Sequence, residues 1–464
     1  MIQQAIAELS QPHLIFFICA VLAVCLFEFV NGFHDTANAV ATVIYTRTLK
    51  PVVAVIWSGS WNFIGVWFGG IAVAMSIIHL LPLGELMNMP EKENIAIVFA
   101  VLLSAISWNL FTWYFGIPCS SSHTLIGAIL GAGMGFFWVH GGQGVNWGKA
   151  QDIGLSLLLS PAFGFTAVII VLYIFRYVFR NKEIFKDPAE NDFKPAPWWI
   201  RGILLLTCTL VSFFHGNNDG QKGVGIMMIV LFAILPGYYA INPDIDYKTL
   251  NAKIHIMQEA AGVNTAAFAN SPYTRQLGAL EDISCDLEYI EWADKDTKLE
   301  IRKRIQAFVK SAKWMLGDPE FITDNKDRRK FKHGLSAMTE ATDFAPFEAI
   351  LLISLSLGLG TMVGWKRIVI TIGEKIGKSH LTYAQGAAAE LVAAGTIGMS
   401  SGLGLPVSTT HVLSSAVAGS MVGVGGLKNL QRSTVTTIAL AWILTLPVSF
   451  GGALLFYYFF QWIL

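Results

Sequence analysis

Runs of apolar residues, about twenty long and so able to cross a hydrocarbon core of roughly 30 Å, recur along this 464-residue chain, at about 14–30, 52–80, 94–115, 120–139, 153–179, 200–214, 223–241, 345–364, 382–403, 408–425 and 433–463. With 54% of residues hydrophobic and 14% charged, the pattern is that of an all-α polytopic membrane protein and argues against a soluble enzyme. A formal charge of zero leaves no basic field for nucleic acid. Cys19, Cys25, Cys119 and Cys208 lie in apolar runs and Cys285 stands alone, so no disulfide framework is indicated. The opening MIQQAIAELSQPH lacks the basic region of a cleaved signal, and the first run reads as a retained anchor.

Between 242 and 343 the character reverses: half of all Lys, Arg, Asp and Glu fall there. Ile283, Leu287, Ile290, Leu299, Ile305, Phe308 and Met315 recur at helical spacing, which predicts a soluble, mostly helical insertion. The expected organisation is a first membrane repeat at 1–180, a basic linker at 181–199, the start of a second repeat at 200–241, the insertion at 242–343 and the rest of the second repeat at 344–464.

A duplication underlies this division. NGFHDTANAVA (31–41) recurs loosely as HGNNDGQKGVG (215–225), and GIPCSSSHTLIGA (116–128) recurs closely as GLPVSTTHVLSSA (404–416). The offsets are 184 and 288, and their difference of 104 is close to the length of the charged stretch. The spacing predicts one duplicated unit whose second copy acquired the insertion.

If 14–47 is one broken crossing followed by four more, and the second half repeats that pattern, fourteen Lys and Arg gather in short loops on one side while only Lys92 and Lys149 lie in short loops on the other. The rich side is then cytoplasmic. Five crossings per half invert the second copy, which leaves the termini and the insertion extracytoplasmic. An inverted repeat with interrupted helices places a substrate site near the midplane.

Fifteen further basic residues lie in the insertion, so of the 32 only Lys222 falls within a membrane segment. It follows Asp219 by three, as Asn38 follows Asp35. Ionisable groups in hydrocarbon cost roughly 2.5–3.5 kcal/mol and normally pair or line a cavity; a plain ion pair is the bland alternative. In GIPCSSSH a Gly-x-Pro break precedes Ser120, Ser121, Ser122, His123 and Thr124, where free amides and the positive helix end face outward. Pro406, Ser408, Thr409, Thr410 and His411 repeat the arrangement, so two helix starts would converge on one anion, although single caps need only Ser or Thr. Two aspartates beside an anion require a proton, a cation or Lys222 to compensate. That requirement is the basis of symport, with His34, His123, His215 and His411 as proton carriers or packing residues.

At these residues the chain resembles the inorganic phosphate transporter family, and in particular its bacterial low-affinity Pit branch. The resemblance is carried by GFHDTANAVATVIYTRTL (32–49), WYFGIPCSSSHTLIGAI (113–129), HGNNDGQKGVGIMM (215–228), GWKRIVITIGEKIGKSHLTYAQG (364–386) and LPVSTTHVLSSAVAG (405–419). It implies uptake of inorganic phosphate across the inner membrane through an inverted-repeat fold, with no enzyme activity and no covalent cofactor. It further implies coupling to H+, or to Na+ as in other members, and co-transport of Mg2+ or Ca2+ as a neutral metal–phosphate complex. By matching motifs, Asp35, Asn38, Asn218 and Asp219 would bind the coupling cation or metal, and Ser120 to Ser122 with Ser408 to Thr410 would hold phosphate, Thr124 extending that set. A homodimer is compatible with this reading. Asn217 stands where the motif usually has a small residue, and Glu390 puts an acid in an apolar run; Glu28, Asn31 and Gln221 are further polar groups of the same segments.

Three other readings fit less well. A sulfate permease would share the hydroxyl-rich helix ends, but sulfate cannot donate a hydrogen bond to Asp. An intramembrane hydrolase fails on geometry, because the adjacent Ser122 and His123 point about 100° apart on a helix. A transition-metal carrier would use the histidines with Asp35 and Asp219 and leave two hydroxyl clusters unexplained.

Overall fold

A computed structural model describes residues 9–82, 90–142, 144–179, 182–191, 196–262, 272–374 and 376–464. Residues 181 and 192–195 of the expected basic linker lie outside this set. Among the described residues there is no strand, only an isolated bridge between Gly377 and Leu430. Contacts divide the chain into one unit built chiefly on Leu231–Phe344 and another on Ile15–Leu83, Pro90–Val230 and Ala345–Leu464. The principal helices are α1 (Gln11–Tyr45), α2 (Pro51–Phe68), α3 (Ala72–Ile78), α4 (Glu91–Tyr114), α5 (Ser121–His140), α6 (Trp147–Val178) and α7 (Trp198–Ile234). Then come α8 (Tyr247–Ala260), α9 (Thr274–Glu288), α10 (Lys295–Met315) and α11 (Asn325–Thr342), followed by α12 (Phe347–Thr361), α13 (Lys366–Glu374), α14 (Tyr383–Gly402), α15 (Thr409–Gly425) and α16 (Arg432–Ile463).

Seven helices among the described residues, α1, α2, α4 to α7 and α16, are long and apolar enough to cross a bilayer. The chain is a multi-pass membrane protein. Helix α1 divides its surface along its length: Ile15, Ile18, Leu22 and Leu26 are exposed at helical spacing, whereas Phe27 to Val43 are buried almost without exception. At 35 residues it is about 52 Å long, more than one hydrocarbon thickness.

The expected break within the 14–47 crossing is not found. Helix α1 runs unbroken through NGFHDTAN, and α7 runs unbroken through HGNNDGQK. Most of these polar side chains find partners on neighbouring helices or within their own turn, so the backbone has no need to open. The Gly-x-Pro breaks read from GIPCSSSH and its repeat are present, at 115–120 and 403–408, and they share one construction. Gly116 (φ +66°) and Gly404 (φ +67°) adopt the left-handed conformation that stops a helix. The amides of Gly116 and Ile117 then bond back to the carbonyls of Trp113 and Thr112, and those of Gly404 and Leu405 to Ser401 and Ser400. Proline follows, and Ser120 or Ser408 caps the next helix by accepting from the amide of His123 or His411 at 3.1 Å.

The packing of the membrane unit is unchanged when the halves are exchanged. Helix α5 packs on α16 and α15 on α6; α4 packs on α16 and α14 on α6; α4 meets α5 and α14 meets α15; α2 and α12 pack on each other. The long helices obey the same rule at their repeat-matched glycines. A Cβ on Gly32 would overlap the Leu357 carbonyl of α12, and one on Gly216 the Asn62 carbonyl of α2. This backbone contact brings the polar turns of α1 and α7 into the interior.

In the other unit, α8 to α11 form a closed ring of neighbours, α8 on α9, α9 on α10, α10 on α11 and α11 on α8, the arrangement of a four-helix bundle. Ile283, Leu287, Ile290, Leu299, Ile305, Phe308 and Met315 are all buried there. Asp246, Asp294 and Asp324 cap α8, α10 and α11. Arg302 is buried, its Nη1 donates to the Ala240 carbonyl at 2.8 Å and its guanidinium lies over the Phe232 ring, so desolvation lowers its pKa to about 10.

Because Gly32 and Gly216 leave no room for a methyl group, Gly32→Ala and Gly216→Ala should each cost about 1–3 kcal/mol. Gly395→Ala, on a helical stretch with nothing within 4 Å of the added carbon, should be neutral or stabilising by about 0.5–1 kcal/mol. Thermal unfolding in detergent checks this; equal midpoints for all three variants would refute the close-approach role.

Candidate functional site

The two breaks, each ending in a capped helix start, point α5 and α15 at the polar turns of α1 and α7. Asp35 of α1 accepts from Thr410 Oγ1 at 2.6 Å on Oδ1 and from Thr409 Oγ1 at 3.1 Å on Oδ2. Asp219 of α7 accepts from Lys222 Nζ at 2.8 Å. Ser121 Oγ, in the first turn of α5, lies 3.3 Å from Asp35 Oδ2 and 3.4 Å from Asp219 Oδ2, so one hydroxyl reaches acids from both repeats. Lys222 Nζ also donates to Ser122 Oγ and, at 3.1 Å, to the Val407 carbonyl, which in turn accepts from Ser122 Oγ at 2.7 Å. Every one of these side chains is at most 3% exposed.

The four histidines separate into two pairs. His215 Nε2 lies 3.6 Å from both Asp35 Oδ2 and Asp219 Oδ2, while its Nδ1 is 3.0 Å from Asn62 Oδ1. A proton donated from Nδ1 to that amide oxygen leaves Nε2 facing the acids, where protonation would bridge them. His34 sits between Asp35 Oδ1 at 3.4 Å and Thr112 Oγ1 at 3.3 Å. His123 and His411 lie against each other, centroids 4.5 Å apart and rings tilted by 34°, and His411 stacks on Trp442 at 4.0 Å. His123 Nδ1 is tied to its own cap, Ser120 Oγ, at 2.8 Å.

Not every expected residue faces the acids. Ser120 and Ser408 use their hydroxyls as caps, and Thr124 Oγ1 donates to the Ser120 carbonyl at 2.9 Å. Asn38 Nδ2 donates to Thr410 Oγ1 at 3.1 Å, and its Oδ1 is buried without a hydrogen-bond partner. Asn218 holds the second break, donating to Ser401 Oγ at 3.0 Å and accepting from the Val407 amide at 3.3 Å. Gln221 Nε2 donates to the carbonyls of Gly69 and Asn217, its Oε1 accepts from Val73 N at 2.8 Å, and Asn217 Nδ2 reaches the Phe68 carbonyl; together they tie α7 to the break between α2 and α3. Asn31 donates to Glu28 at 3.3 Å, and Glu28 fills the space over Gly223. Glu390 stands apart: fully buried on α14, it accepts from Thr42 of α1 and from Thr207 of α7. Thr42 is seven residues past Asp35, about 10 Å along the helix.

Several contributors escape a motif search. Asn62 and Thr112 are polar residues scattered among others in apolar runs, a weak signal whose link to His215 and His34 shows only once the helices are packed. The Val407 carbonyl carries no side-chain signal at all. Chemically, the arrangement offers hydroxyl and amide donors at two helix starts, two acids, one ammonium and an imidazole. Asp35, His215 and Asp219 each present a ligand atom within 4.8 Å of the others, close enough to share a metal ion. Two carboxylates suit Mg2+ or Ca2+, whereas the imidazole favours softer divalent ions.

The phosphate transporter family profile matches residues 31–453. The low-affinity inorganic phosphate transporter of Buchnera aphidicola subsp. Acyrthosiphon pisum is 39% identical over 476 residues, covering 96% of each chain. The low-affinity inorganic phosphate transporter PitA of Escherichia coli is 39% identical over 471 residues, covering 93% of each. Among solved structures, the sodium-dependent phosphate transporter aligns with a TM-score of 0.57 at 21% identity, covering 97% of this chain and 100% of that one, a likeness of fold. With a matching profile that spans both helix breaks and both aspartates, and relatives alike over nearly their whole length, the chain belongs to the phosphate transporter family.

Proposed function

We propose that this protein imports inorganic phosphate across the inner membrane by proton symport, through alternating access of two inverted halves. One observation supports this above the rest: Ser121, at a helix start, reaches acids from both repeats at 3.3 and 3.4 Å. Phosphate arriving at the N-termini of α5 and α15 meets Ser121, Ser122, Thr409 and Thr410 with first-turn amides that have no intrahelical acceptor. Those hydroxyls hydrogen-bond carboxylates or the Val407 carbonyl, and they can turn to the anion once a proton or cation weakens the hold of the acids. Binding of proton and anion is then mutually reinforcing, which makes them travel together.

His215 and Asp35 are the proton-carrying groups in this reading, because Nε2 lies between the two acids. A protonated phosphate can also donate to Asp35 or Asp219, which sulfate cannot do. A divalent ion held by Asp35 and Asp219 would enter as substrate with phosphate and supply the same neutralisation. The fourteen basic residues of the short loops set the cytoplasmic side, and the reciprocal helix packing supports two halves related by a two-fold axis, inverted in the membrane.

A sodium-coupled reading has its own support. The solved relative of like fold is sodium-dependent, and Asp35 Oδ1 with Thr410 Oγ1, 2.6 Å apart, offers hard oxygen ligands that Na+ could use. Labelled-phosphate uptake into proteoliposomes decides between them. An inward proton gradient should drive accumulation without Na+, and a ten-fold excess of sulfate should leave it intact; uptake that ignores pH and requires Na+ would transfer coupling to sodium.

Asp35→Asn and Asp219→Asn should each lower uptake at least 100-fold, equivalent to about 2.7 kcal/mol. Ser121→Ala should raise the phosphate KM about ten-fold, near 1.4 kcal/mol, with little change in thermal stability. Ser120→Ala, which removes only a cap, should cost about 1 kcal/mol of stability and leave KM close to normal. The reverse pattern for the two serines would misassign the phosphate contact.

A further inference from the structure

The two halves carry their acids at matched positions, yet differ in the residue one turn further on. Asp35 is followed by Asn38 and Asp219 by Lys222. The surroundings of these two residues correspond through the offset of 288 between the hydroxyl motifs: Thr410, which contacts Asp35 and Asn38, is the counterpart of Ser122, which contacts Lys222. Asn38 against Thr410 and Lys222 against Ser122 therefore occupy matched places, two polar nests filled by an amide in one half and an ammonium in the other.

In the second nest the Lys222 ammonium is surrounded by oxygen: Asp219 Oδ1 at 2.8 Å, Ser122 Oγ, and the Val407 carbonyl at 3.1 Å. A carboxylate, a hydroxyl and a main-chain carbonyl are hard oxygen ligands of the kind that replace the hydration shell of a small cation. In the first nest no ammonium is present. Asn38 contributes a neutral amide whose Nδ2 donates to Thr410 Oγ1 at 3.1 Å and whose Oδ1 is buried without a hydrogen-bond partner.

We propose that Lys222 is a built-in cation: its ammonium stands permanently in the second of two quasi-equivalent cation sites, so that only the Asp35 site exchanges a proton or ion during transport. This rests on the symport reading above. A tethered charge neutralises Asp219 in loaded and unloaded states alike, at no cost in translational entropy. Two aspartates and one lysine leave a single negative charge for a coupling proton or cation to cancel before phosphate binds. With asparagine in both nests, two would be needed.

Restoring the asparagine found at the matched position tests the idea. The variants are Lys222→Asn, which opens the nest and offers an amide oxygen, and Lys222→Met, which removes the charge and offers none. Both are compared with the native protein in NaCl, KCl and choline chloride, by labelled-phosphate uptake and by thermal unfolding in detergent. Native uptake and unfolding midpoint should be alike in the three salts. Lys222→Asn should fall at least ten-fold in choline, recover several-fold with saturation in NaCl or KCl, and show a higher midpoint in the same salt; Lys222→Met should stay low throughout. The proposal is overturned if Lys222→Asn keeps native uptake in choline, if it folds but ignores alkali cations, or if it fails to fold equally in all three salts. Failure of native uptake to respond to a pH gradient would instead remove the coupling reading, and the salt response of the variant would still stand or fall separately.

Discussion

Two carboxylates buried inside a membrane protein govern the rest of this architecture. Asp35 and Asp219 are 2% exposed or less, and a charge so placed persists only with partners close at hand. Those partners come from elsewhere in the chain: the first turns of α5 and α15, Lys222 and His215. Supplying them requires two helices to begin in the interior, which is why α4 and α14 stop at left-handed glycines and why proline follows each stop. It also requires α1 and α7 to stay intact, since the acids must be held at fixed height opposite those helix starts.

The helix packing repeats between the halves, and the side chains of the site depart from that repeat. Helix pairs, Schellman stops and serine caps all survive exchange of the halves. The chemistry does not. Asn38 answers Lys222, Asn31 answers His215, and Glu390 stands where the offset of 288 places Leu102 in the first half. Glu390, held by one threonine from each long helix, marks how far that asymmetry extends beyond the central acids.

The hydroxyl residues show how closely stability and ligand chemistry are interleaved. In each of the two motifs the first serine is spent on capping and the next two hydroxyl residues turn to acids, lysine or carbonyl. One turn of helix thus divides its polar groups between holding itself and presenting donors. The division follows from helix geometry, because the cap side chain folds back over its own turn while the next two residues project from the helix start.

By itself the sequence determined the membrane class, the duplication, the helical insertion core and the two acids with two hydroxyl clusters, because apolar length, repeated motifs and rare intramembrane charges are local and countable signals. Its reading of the Gly-x-Pro breaks before Ser120 and Ser408 holds, but it also expected the first crossing at 14–47 and its counterpart to be broken, whereas α1 and α7 run intact through their polar turns. Only the tertiary structure decided which hydroxyl caps and which faces an acid, that His215 spans the two aspartates, and that Lys222 lies in a nest completed by the Val407 carbonyl. Those facts turn on contacts between distant segments, such as Ser121 with Asp35 and His215 with Asp35, and on a main-chain oxygen, and neither leaves a mark in the order of side chains.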